Sequence, residues 1–122
     1  MASSSNFGKE SPSKILSEVQ RDKGFHFYRS MGGYLGIYAT SLEQFSKLLE
    51  KVELRSIEFH MGRGDFEKWV RSLGDAALAL QLAKLRNKSP SGENLRKEVS
   101  AVVNRRLDKL RSELQHEHKI RR

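Results

Sequence analysis

The stretch Leu54–Gly74, LRSIEFHMGRGDFEKWVRSLG, decides how this chain folds. It carries Ile57, Phe59, Met61, Phe66, Trp69, Val70 and Leu73 in two apolar clusters, separated by Gly62-Arg63-Gly64-Asp65. After that break, Asp65 followed by Phe66, Trp69, Val70 and Leu73 has the spacing of an N-cap and a one-sided helical stripe, and Gly74 supplies the stop. A helix over 65–73 is therefore expected to anchor the core through Trp69. Upstream, Ser56 reads as the cap of a short helical turn over 56–61, with Gly62 and Gly64 bending the chain behind it. His60, between Phe59 and Met61, fits a hydrogen-bonded core or rim histidine better than a ligand or a base. Arg63, on a glycine-flanked turn, either bridges to a neighbouring acidic side chain or offers its guanidinium to a phosphate or carboxylate.

Moving outward toward the N-terminus, Thr40-Ser41-Leu42-Glu43-Gln44 opens a helix over 41–52 with two overlapping capping boxes, Thr40 with Glu43 and Ser41 with Gln44. Leu42, Phe45, Leu48, Leu49 and Val52 form its buried stripe. Before it, Phe25-His26-Phe27-Tyr28 and Tyr34-Leu35-Gly36-Ile37-Tyr38 flank Gly32-Gly33, which is the signature of a β-hairpin over 24–39. The aromatics admit two readings. Phe25, Phe27, Leu35 and Ile37 pack on the helices with the tyrosines at the rim, or Lys23-Gly24-Phe25-His26-Phe27-Tyr28 forms a base-stacking platform. Ser11-Pro12-Ser13 reads as a helix entry with Ile15, Leu16 and Val19 behind it, and residues 1–10 as a polar, flexible arm.

Toward the C-terminus, Gly74-Asp75 ends one helix and caps the next, over 76–86, with Leu78, Leu82 and Leu85 inward and alanines that permit close helix approach. Asn87 to Gly92, NKSPSG, is a turn by composition. The last helix, over 92–115, spaces Leu95, Val99, Val102, Val103, Leu107, Leu110 and Leu114 as one apolar stripe. A helix this long is expected to outrun the core and project, leaving Leu110 and Leu114 in need of a partner. A basic tail, 116–122, follows.

Taken together, SIEFHMGRGDFEKWVRSLGD, with GIYATSLEQF before it and GDAALALQLAKL after it, resembles an uncharacterised archaeal family of small domains. Those domains carry an aromatic hairpin, an A-T-S-L-E-x-F helix start, an S-I-E-F-H segment and an R-G-D-F-x-x-W helix. The resemblance covers Phe25 to Leu110 and implies a fold rather than a chemistry. The expected class is α+β, mainly α: an aromatic N-terminal hairpin packed on a bundle of four to five helices, within one domain over 11–115.

Composition bounds the function. A chain of 122 residues supports one modest core. Without cysteine, disulfides and thiolate metal sites are excluded. No apolar run is long enough to span a bilayer, and the N-terminus lacks the apolar core of a secretory signal, so a cytoplasmic protein without a membrane partner is expected. No phosphate-binding glycine loop, nucleophile elbow or spaced carboxylate pair occurs, and His116-Glu117-His118 has a spacing that turns its imidazoles apart. Neither catalysis, nor a cofactor, nor a small-molecule substrate is expected.

Charge points elsewhere. The 23 Lys and Arg against 15 Asp and Glu give a net charge of +8. Met1 to Leu85 contains 12 basic and 10 acidic residues, a net of +2, whereas Arg86 to Arg122 contains 11 and 5, a net of +6. A compact domain with a basic terminal helix suits a polyanion, because each neutralised phosphate releases condensed counterions. The expectation is an RNA-binding structural protein, most concretely an archaeal ribosomal or ribosome-associated protein, with rRNA and neighbouring ribosomal proteins as partners. Its phosphate contacts would be Arg96, Lys97, Arg105, Arg106, Lys109 and Arg111 on the helix, Lys119, Arg121 and Arg122 in the tail, and Arg63. Alternatives are a module that docks on proteins through the apolar stripe of the last helix, and a small chromatin protein.

Overall fold

The computed structural model describes residues 11–121, with side chains to His116. The arm at 1–10 and the side chains of Lys119, Arg121 and Arg122 lie outside the described residues. In chain order the elements are α1 (Pro12–Leu16), a 3-10 turn (Arg21–Lys23), β1 (Phe25–Tyr28), β2 (Tyr34–Ala39), α2 (Leu42–Leu49), α3 (Leu54–Arg63), α4 (Asp65–Ser72), α5 (Ala76–Lys88) and α6 (Gly92–Arg121). The class is α+β, mainly α, with a two-stranded antiparallel hairpin set on the helices. The central column is α6, which touches α1, α2, α3 and α5.

The hairpin pairs Phe25 with Ala39, His26 with Tyr38 and Phe27 with Ile37, then slips so that Tyr28 meets Tyr34. The slip leaves Leu35 and Gly36 as a bulge, and Gly36 takes a φ of +76° that a side chain would resist. Because side chains alternate along a strand, Phe25 and Phe27 enter the core while His26 and Tyr28 do not. Phe25, Phe45, Phe66 and Trp69 meet edge-on or tilted, as do Phe25 and Phe27, at ring separations of 4.9 to 5.9 Å that suit the aromatic quadrupole, while Phe27 stacks on Phe45 at 5.9 Å. Trp69 also donates its indole N–H to the Lys23 carbonyl at 2.9 Å, tying α4 to the hairpin's entry.

Side-chain caps open α1, α2 and α5. Ser41 accepts from the Gln44 N–H at 3.2 Å, as expected, but the Gln44 carbonyl oxygen reaches back to the Thr40 N–H at 2.8 Å and not to that of Ser41. The Thr40 hydroxyl is shared between Gln44 and Glu18, so its expected box with Glu43 does not form. The helix expected over 56–61 is longer, because Glu53 is its extended N-cap and Ser56 lies buried inside it. Of the two glycines expected to bend the chain, Gly62 is helical and exposed. The turn belongs to Gly64 alone, whose φ of +74° gives the left-handed cap between α3 and α4. Asp65 is the first residue of α4 rather than its N-cap and makes no capping bond there. Among the alanines of α5, Ala79 is buried, whereas Ala76 and Ala77 are exposed.

The expected projection of α6 does not occur over its described side chains. Leu95, Val99, Val103, Leu107 and Leu110 are all buried, Leu110 to 1% exposure, and Leu114 is half-buried. The cover comes from α1, where Ser11 caps, Pro12 pre-sets the first turn and Ile15 is 2% exposed. The packing of α1 thus covers α6 as far as Leu110, and the helix, 30 residues or about 45 Å at 1.5 Å per residue, runs on through 116–121 where a separate tail was expected.

Candidate nucleic-acid interface

The basic residues of α6 divide by what they touch. Arg96 is drawn inward, its side chain 18% exposed: one guanidinium nitrogen donates to the carbonyls of Leu49 and Val52, both at 2.8 Å, and Nε donates to Glu93 at 2.7 Å. It thereby satisfies the Leu49 carbonyl at the end of α2 and the Val52 carbonyl in the turn that follows, at the pole where the helix dipole favours a cation. Arg106 donates to Asp75 at 2.8 Å, and the Asp75 side chain is fully buried. The other oxygen of Asp75 accepts the Leu78 N–H at 3.0 Å, so one carboxylate caps α5 and clamps it to α6. These two arginines, expected as phosphate contacts, are internal struts. Periodicity locates them on flanks of the apolar stripe but cannot show which acceptors the fold brings opposite.

Arg111 makes only loose contacts, 3.7 Å each, to Glu43 and Asp108. Lys97, Arg105 and Lys109 are exposed and belong to no ion pair among the described residues. Arg105 gains neighbours that sequence reading passed over. With Lys84 and Lys88 of α5 it lines a groove of about 380 Å³ between α5 and α6, floored by Leu85, Ala101 and Val102. Glu98 is the acidic member of the lining. The missed signal is the Gln81, Lys84, Lys88 spacing, which keeps one polar face along α5. One turn beyond Arg105, Lys109 lines the adjoining cleft with Ala76, Ala77 and Glu113.

Arg63 sits elsewhere, at the junction of α3 with the hairpin. Its Nε donates to Asp65 at 3.0 Å, a second nitrogen approaches the Met31 sulfur at 3.4 Å, and the guanidinium lies 5.1 Å from the centre of the Phe59 ring. Asp65 also takes a hydrogen bond from His60 at 2.8 Å, while His60 Nε2 accepts the Tyr28 N–H at 2.8 Å. The acceptor role of Nε2 places the imidazole proton on Nδ1. Both ring nitrogens are spent, so His60 serves as the partner that the open edge of β1 would otherwise lack. Burial pushes His60 below its ordinary value, against an opposing pull from Asp65. Burial raises Asp65, yet the bonds from His60 and Arg63 together hold it below the usual carboxylate range.

Among the described residues no group of three or more His, Asp or Glu is placed to hold a metal ion. No helix there is long and apolar enough to cross a membrane. No curated protein and no solved structure gives a significant match to the chain. Residues 9–104 match a family of unknown function, DUF5752, and these span the hairpin, α1 to α5 and the first half of α6: the chain belongs to that family.

Proposed function

We propose that this chain is an RNA-binding structural protein, in its most concrete form an archaeal ribosomal or ribosome-associated protein that sits on rRNA phosphates. What carries the proposal is the α5/α6 groove, where Lys84, Lys88 and Arg105 stand exposed without an ion-pair partner among the described residues. Lys109 extends the cations along α6, and the net charge of +8 favours any polyanion. Such a groove follows a sugar-phosphate backbone and fixes position, with shape rather than base identity deciding affinity.

Three phosphate contacts predict a log–log salt slope of about −2 on single strands. The triple variant K84E/K88E/R105E, measured by filter binding on rRNA fragments from 50 to 200 mM salt, should lose most of the affinity and most of that slope. A control that reverses Lys14, Lys47 and Lys51 makes the same change in net charge away from the groove and should lose much less. Equal losses in the two variants, or wild-type protein that neither binds rRNA nor sediments with ribosomes through a sucrose cushion at moderate salt, would overturn the proposal.

A further inference from the structure

The solvent face of the hairpin carries a row of rings that the groove does not use. Tyr28 and Tyr34 lie 5.1 Å apart, Tyr34 and His26 5.6 Å, and His26 and Tyr38 5.2 Å at an interplanar angle of 22°. Arg21 closes the row with its guanidinium 4.7 Å from the centre of the Tyr38 ring. The row follows from the pairing of His26 with Tyr38 and of Tyr28 with Tyr34 across the two strands.

These rings are held in place before any ligand arrives. His26 Nε2 lies 2.9 Å from the Arg21 carbonyl, which can only accept, so the proton is on Nε2. Nδ1 is then the acceptor, and the Tyr34 hydroxyl, at 3.0 Å, is its donor. The imidazole is fixed at both ends and Tyr34 at one. Gly36 sits beside them with open space where a Cβ would be, so the bulge raises no wall against the row. Tyr34 remains 41% exposed, and Met31 next to it 76%.

We propose that this face stacks the unpaired bases of a single-stranded RNA. Flat rings with polar edges, pre-set by hydrogen bonds, suit bases, which every sequence offers as π-faces. His26 and Tyr28 also border a pocket of about 360 Å³, lined by Phe25, Met31, Phe59 and Arg63 among others, where a base splayed from a single strand would fit beside the row. Arg29 is tied to Glu53 by two hydrogen bonds, and Arg21 and Lys23 against Asp22 leave one net positive charge beside the row. The partner class rests on the RNA reading above, but the ring row is a separate contact from the α5/α6 groove.

The test uses fluorescence anisotropy with a twelve-nucleotide oligoadenylate and an abasic strand of the same length and charge. Wild-type protein should prefer the strand with bases, and the Y34A/Y38A variant should lose about five-fold or more of that preference per ring while its binding to the abasic strand holds. Near-ultraviolet circular dichroism from Trp69 checks the fold, and Y38F, which keeps the ring and the bond from Tyr34 to His26, should retain the preference. Equal affinity for the two strands, or a preference that survives Y34A/Y38A, would overturn the stacking face while leaving the groove proposal intact. A dimer seen by light scattering that Y34A/Y38A dissolves without loss of oligonucleotide affinity would assign the face to a second copy, and would overturn it too. Loss in K84E/K88E/R105E alone would uphold the groove and reject the row.

Discussion

Two histidines on either side of the hairpin carry opposite protons. On the buried side, His60 keeps its proton on Nδ1 for Asp65 and uses Nε2 to accept from the backbone of Tyr28. On the outer side, His26 keeps its proton on Nε2 for a carbonyl and uses Nδ1 to accept from Tyr34. The same residue type in neighbouring positions is a strand-edge plug in one case and a fixed, half-exposed ring in the other. The arginines of α6 divide in the same way, with Arg96 and Arg106 turned inward onto oxygens and Arg105 turned outward. What separates the two sides is therefore not chemistry but which partner the fold supplies.

The comparison breaks first if the inner side is not the structural one. Phe27→Ala removes a fully buried ring and should cost about 3–5 kcal/mol in urea unfolding. The half-exposed Tyr38, changed to alanine, should cost well under half as much. Similar losses at the two positions would mean that the outer row is part of the core. Next in size, Asp75→Ala strips Arg106 of its partner and α5 of its cap, with an expected loss of about 3 kcal/mol, whereas Arg105→Met on the same helix should stay within about 0.5 kcal/mol. Comparable losses at Asp75 and Arg105 would erase the distinction between strut and surface cation.

The smallest effect is on pH. His60 has its folded value below its unfolded value of 6.5, so below that pH the unfolded chain binds more protons than the folded one and stability rises with pH. The contribution is fully present above 6.5 and is lost as pH falls toward the folded value. Asp65, also lowered, adds a second loss as pH falls below 3.8 through its own folded value. Urea midpoints should fall between pH 7.5 and pH 5 in wild type and in H26Q, and the change should shrink in H60Q. A pH dependence that follows His26 instead would reverse the assignment of the two sides.

Much of this architecture could be read from residue order. The hairpin, the stripe from Phe66 to Leu73, the Asp75 cap and the buried positions of α6 all follow from local period and capping chemistry, because those signals lie within a turn or a strand. Three features depended on contacts distant in sequence and were misread. Leu110 appeared to need an outside partner because nothing local indicates that Ile15 and α1 cover it. Arg96 and Arg106 appeared free because Leu49, Val52 and Asp75 lie 31 to 47 positions away. Lys84 and Lys88 drew no notice until α6 placed Arg105 across from them. Of the two readings of the aromatic hairpin, the packed one with its tyrosines at the rim matches the fold, and a platform over Lys23–Tyr28 does not, because alternation along the strand buries Phe25 and Phe27.

The position of α6 bears on how the chain comes off the ribosome. Its carbonyl clasp at Arg96, its clamp at Asp75 and its contacts with α1, α2, α3 and α5 join α6 to all but one of the helices before it. Until α6 emerges, α1, α2, α3 and α5 lack the helix that they share and cannot close around it. A nascent chain stalled at Ser91 should therefore remain open to protease in α1, α2, α3 and α5, and those four helices should become protected together once α6 is out.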